Sequence, residues 1–98
     1  MNIQIGNKAL SWFKEEMDAN RGDAIRFFVR YGGSSPLHEG FSLGVTKDEP
    51  MEIGAQTEID GIVYFVEQAD LWYFDGHDLH VEYNEQLNEP RYQYVHPS

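Results

Sequence analysis

The chain is organised around residues 24–45, AIRFFVRYGGSSPLHEGFSLGV, in which two alternating runs flank a glycine-opened middle. In 24–31, Ile25, Phe27, Val29 and Tyr31 share one face while Arg26, Phe28 and Arg30 share the other, the period-two pattern of a half-buried strand. Residues 40–46 repeat the pattern with Phe41, Leu43 and Val45, so the two runs are expected to pair or lie close, with 32–39 projecting between them as a loop. Before them, Ile3 and Ile5 alternate in a short strand. Ala9, Trp12, Phe13 and Met17 then recur at the spacing of one helical face, with Gly6 or Asn7 as cap and Gly22 as the stop. After them, 47–50 form a turn and 51–54 an extended piece. Residues 56–59 and 62–66 flank Asp60-Gly61, a dipeptide suited to a tight hairpin turn. Residues 67–74 suit a short helical turn closed by Asp75-Gly76, 78–84 form another strand, and 85–98 are a polar tail that carries Tyr92, Tyr94 and Val95.

Many short strands with one N-terminal helix predict a mainly β fold, either a small barrel or two packed sheets, with the helix covering part of the core. The expected core is Ile25, Phe27, Val29, Phe41, Leu43, Ile62, Tyr64, Val66, Leu79 and Val81, with Trp12, Phe13 and Met17 packed on it. The length of 98 residues fits one domain, 1–98.

Charge and composition narrow the function. With 7 basic and 17 acidic residues the net charge is −10, which argues against nucleic acid and anionic membranes as partners. The opening MNIQIGNKALSWF has no leader pattern, and no apolar run approaches the ~18 residues of a spanning helix, so a cytoplasmic protein is expected. The absence of cysteine excludes disulfides, thiolate metal sites and cysteine nucleophiles.

Candidate chemistry centres on the 32–39 loop. Ser34 and Ser35 near His38 have the residue types of a nucleophile and base but not the surroundings of a nucleophile elbow, and polar loop residues bonding their own backbone are the simpler reading. His38-Glu39, His77, His80 and His96 are zinc or iron ligand types, although three residues apart on a strand His77 and His80 diverge. Trp72, Tyr73 and Phe74, or Tyr92 and Tyr94, suit either a recognition patch or core packing. No convergent acid, base and nucleophile emerges, so no enzyme is expected.

The order of a helix, the 24–45 stretch, DGIVYFVEQADLWYFDG and a closing YQYVHP resembles the HesB-like, A-type iron–sulfur carrier family over essentially the whole chain. Gly32, Gly33 and Ser35 match that family's Gly-Gly-Cys-Ser-Gly loop, Asp75-Gly76 its turn, and Pro97 the proline of its Asn-Pro. The resemblance implies a HesB-like pseudo-barrel of short mixed strands. Ser34 stands at the first ligand cysteine and Pro36 at the loop glycine, and Ser98 is reached without a Cys-Gly-Cys. Clusters are held by thiolates, and a serine hydroxyl is a poor substitute, so no cofactor is expected. The implied function is a non-enzymatic relative of iron–sulfur carriers that binds a protein or small ligand through Gly32, Gly33, Ser34, Ser35, His38 and Glu39. The alternative is an accessory protein of iron–sulfur metabolism that holds iron or zinc on histidines and carboxylates. Family members assemble into dimers or tetramers, which leaves a homodimer open.

Overall fold

The computed structural model describes residues 1–97. Its elements are β1 (Ile3–Ile5), α1 (Asn7–Glu16), β2 (Ala24–Ser34), β3 (Glu39–Lys47), β4 (Ile53–Ile59), β5 (Ile62–Glu67), a 3-10 helix (Gln68–Phe74), β6 (Asp78–Asn84) and β7 (Glu89–Val95). Ser98, the end of the predicted tail, lies outside the described residues.

The mainly β class and the N-terminal helix are as the pattern predicts. The strands form two mixed sheets, ordered β1-β6-β7 and β3-β2-β5-β4, which do not close into a barrel. In the smaller sheet β6 runs parallel to β1 and antiparallel to β7; in the larger, β2 is parallel to β5 and antiparallel to β3, and β4 is antiparallel to β5. Helix α1 joins them, with the Phe13 ring 5.9 Å from Phe27 and 5.5 Å from Tyr64 of the larger sheet and the Gly6 N–H donating to the Val81 carbonyl of the smaller.

Local chemistry sets the element ends. Asp60 and Gly61 have φ of 55° and 78°, the left-handed pair that a tight hairpin turn requires. Helix α1 stops well before Gly22, because Asp18 takes φ 52° and the Met17 and Ala19 N–H groups both fold back onto the Phe13 carbonyl. The tail contains a strand that its polar start hides: Tyr92 and Tyr94 of β7 pair with Val81 and Leu79.

Ile25, Phe27, Leu43, Ile62, Tyr64, Val66, Leu79, Val81 and Phe13 are buried as expected, whereas Val29, Phe41, Trp12 and Met17 are only half-buried. Tyr73 and Phe74 of the 3-10 helix complete the core, as do Ala9, Ala19 and Ala55. Phe65 is buried on the opposite face of β5 from Tyr64.

That second burial follows from topology. Because β3 and β4 lie at opposite edges, the connection 48–52 must cross β2 and β5. It is fastened at both ends. Arg26 pairs with Asp48 at 3.5 Å, and the buried Glu67 carboxylate accepts the Met51 and Glu52 N–H groups at 2.8 and 2.7 Å. The Gln68 N–H, which opens the 3-10 helix, donates to the Glu52 carbonyl at 2.8 Å.

Two expectations follow. Phe27→Ala, which empties a fully buried site, should cost about 3–5 kcal/mol in denaturant melts, and a loss under about 1 kcal/mol would remove Phe27 from the core. For Glu67, the Met51 and Glu52 N–H groups hold the carboxyl below its ordinary value of 4.5, against an opposing effect of burial. Its folded-state pKa is thus lower than its unfolded one. Its stabilisation is present above about pH 4.5 and lost as pH falls through the folded value. Melts of Glu67→Gln and the parent should therefore differ at pH 7 and converge on acidification; a gap independent of pH would contradict this role.

Candidate functional site: an aromatic face on a projecting ribbon

The central strand β2 has a strand on both sides only at its start. It pairs with β5 at Ala24, Ile25 and Arg26 and with β3 from Ile25 to Tyr31. Beyond that point β5 gives way to the 3-10 helix, whose Asp70 carboxylate accepts the Val29 N–H at 3.4 Å and pairs with Arg26 at 3.3 Å. From there on β2 and β3 project as a two-stranded ribbon.

The ribbon takes in half of the predicted 32–39 loop. Gly32 and Gly33 form a bulge between Tyr31 and Ser34, with φ of 123° and 68°, a conformation that side chains disfavour. Ser42 Oγ donates to the Gly32 carbonyl at 3.1 Å and fixes the bulge. Ser34 and Glu39 are a facing pair, both exposed. The turn proper is 35–38, where Ser35 N–H donates to the His38 carbonyl and Ser35 Oγ accepts the His38 N–H, each at 3.1 Å. Ser35 thus bonds the backbone of His38 and not its ring, so the two are no nucleophile and base.

One face of the ribbon is aromatic. Tyr31 and Phe41 face each other across the strands with rings 5.6 Å apart, and Phe41 meets Trp72 at 5.4 Å. His38 lies 5.4 Å from both Trp72 and Tyr73, and its Nε2 is buried without a hydrogen-bond partner. The row ends in the core, where the Tyr73 and Tyr94 hydroxyls bond at 2.9 Å; burial first, then this bond, pushes the Tyr94 phenol above its ordinary value. At the other end Tyr31 is 92% exposed and Trp72 53% exposed. Such a set of rings, wet at one end and packed at the other, is suited to bury area on another protein at low entropic cost.

Of the six loop residues singled out from sequence, only His38 joins this face. Gly32, Gly33 and Ser35 shape the ribbon that carries it, while Ser34 and Glu39 face each other across the strands as an exposed pair. Tyr31 and Phe41 were missed, since both alternate as core residues do and the early end of β5, which leaves Tyr31 exposed and Phe41 half-buried, leaves no mark in the sequence; Trp72 is one of the aromatics that suited either a recognition patch or core packing.

The metal reading is corrected. Among the described residues no three histidine or acidic side chains converge as ligands. The His77 and His96 rings lie 4.3 Å apart, tilted by 40°, but His77 Nδ1 is engaged with the Phe74 carbonyl at 2.9 Å. Among the described residues no helix is long and apolar enough to cross a membrane.

The chain is 56% identical over 94 residues to a Bacillus subtilis protein named pyruvate dehydrogenase inhibitor, covering 96% of this chain and 99% of the relative. It is 43% identical over 95 residues to an uncharacterised protein of Staphylococcus saprophyticus, with 94% and 97% of the two chains covered. A Staphylococcus aureus protein, also uncharacterised, is 37% identical over 87 residues, covering 86% and 87%. No family model matches the chain. These relatives overturn the HesB-like, iron–sulfur carrier resemblance and the iron–sulfur functions inferred from it. The shared features, a double glycine at a strand end and an Asp-Gly closing a helical turn, are here a bulge and a left-handed cap, devices that unrelated folds also use.

The exposures give a direct check. Tyr31→Ala should change stability by less than about 0.5 kcal/mol, whereas Tyr73→Ala, which removes a fully buried ring, should cost about 3 kcal/mol or more. Equal losses in denaturant melts would mean that Tyr31 is packed and not free to meet a partner.

Proposed function

The chain belongs to the family of the Bacillus subtilis pyruvate dehydrogenase inhibitor, and from that premise we propose that it is a non-catalytic protein that binds a pyruvate dehydrogenase and restrains it. The contact surface in this reading is the aromatic face of the β2–β3 ribbon. Tyr31, Phe41 and Trp72 make the apolar contact, His38 lies beneath them, Gly32, Gly33 and Ser35 hold the tip in shape, and Ser34 and Glu39 form its polar rim. The observation that carries it is the 92% exposure of Tyr31 on a row of touching rings that leads into the core. Large aromatic side chains anchored from below are the usual centres of protein–protein binding energy.

The remaining expectations join this reading: one domain, in the cytoplasm with the enzyme it restrains, with no nucleic-acid partner. A net charge of −10 would favour association with a basic surface, so binding should weaken as salt rises. Self-association is not required.

The test is kinetic. Purified chain is titrated into pyruvate dehydrogenase from the same source while the initial rate of pyruvate oxidation is followed. The rate should fall to a plateau as the chain approaches stoichiometric excess, and an unchanged rate with the chain in large excess would overturn the proposal.

A further inference from the structure

The two sheets expose their edge strands unequally. On β7, Pro90 has no N–H to offer and is flanked by Glu89 and Arg91, the guards expected on an edge. Strand β1 has three residues, and β4 has an irregular register between Ile53 and Ala55. In contrast β3, EGFSLGVTK, has no proline and charges only at its ends, Glu39 and Lys47; beyond the bulge it pairs with β2 in unbroken register from Phe41 to Lys47, and among the described residues it is hydrogen-bonded on one side alone. At about 3.3 Å per residue that regular part offers an open edge of roughly 23 Å, with the Arg30 side chain lying over Gly44 on its outer face.

A cleft lies beside it. Trp12, Leu43, Val45, Pro90 and Tyr92, with the charged Arg30 and Glu89, line an open cleft of about 360 Å³ between the β3 and β7 edges. A strand added to β3 would continue its pleat, so residues opposite Leu43 and Val45 would point to the same face as those two and enter this cleft. The volume suits one or two large apolar side chains and not a globular surface.

We propose that β3 is a strand-addition site that takes an extended segment of the inhibited enzyme and seats an apolar side chain of that segment between Trp12, Leu43, Val45 and Tyr92. This rests on the functional reading above and names the form of the partner. One observation favours an enzyme segment over a second copy. Pairing two copies would bring two chains of net charge −10 together. Phe41 of the aromatic face alternates with Leu43 and Val45 along the same strand, so one partner lying along β3 reaches the cleft and the ribbon's aromatic face together.

Amide hydrogen exchange read by mass spectrometry tests this on the full chain, first with intact pyruvate dehydrogenase and then with short overlapping synthetic peptides that tile its subunits. The expected result is that β3 amides slow by about tenfold or more with the enzyme and with at least one peptide, with no such change on β7. Enzyme binding or inhibition with β3 exchange unchanged would overturn strand addition while leaving the inhibitory reading intact. Peptide protection of β3 without any effect on the enzyme would support strand addition and sink the inhibitory reading. If neither enzyme nor peptide protects β3, or if protection appears only as the chain's own concentration rises, the enzyme segment is not the occupant and the proposal fails.

Discussion

The fold depends on a carboxylate that closes a crossing. Strand order in the larger sheet forces the chain to pass from one edge to the other over β2 and β5, and the passage 48–52 has little apolar material with which to hold itself down. Glu67 does so by accepting two backbone N–H groups, and Arg26 adds ion pairs to Asp48 and Asp70. A buried carboxylate without such partners would be strongly disfavoured, so the bonds that secure the crossing are also what permit Glu67 to be buried. With the crossing in place, the Glu52 carbonyl receives the Gln68 N–H and the 3-10 helix starts where it does.

The start of that helix decides the shape of the surface. Had β5 continued as a strand, it would have paired along the rest of β2 and flattened the ribbon into the sheet. The chain instead turns, Asp70 takes up the Val29 N–H, and Trp72 and Tyr73 come to lie beneath the ribbon. The projecting pair of strands is thus supported from one face by rings, which are packed at Tyr73 and open at Tyr31. A packed base with an exposed aromatic edge is the arrangement a protein-binding surface needs if it is to bind without ordering a loop first. Gly54 marks the tightness of the same junction: a Cβ there would lie 2.7 Å from Leu71 Cγ and 2.9 Å from Gln68 Cα.

Much of this was legible in the sequence. Alternation located β2, β3, β5 and β6, and Asp60-Gly61 located a hairpin turn, because period and left-handed φ are local properties. Residues that depend on distant partners were not legible. Strand β7 was hidden by a polar start and becomes a strand only by pairing with β6, and Tyr31 carries the pattern of a core residue although its neighbours end before they can cover it. Phe65 looks like an outward position until the crossing connection passes over it. The iron–sulfur resemblance failed for a related reason: glycines and Asp-Gly pairs report a backbone conformation, which many folds share, and not an ancestry.

In the proposed complex the end of the molecule bearing Tyr31 is the end that meets pyruvate dehydrogenase. Placing a photo-reactive amino acid at Tyr31 in one variant and at Asn20 in another tests it, since both positions are exposed and Asn20 lies just before the opposite end of β2. Irradiation in the presence of pyruvate dehydrogenase should link the chain to the enzyme from position 31 and not from position 20. Equal linkage from both positions, or linkage from 20 alone, would contradict the account.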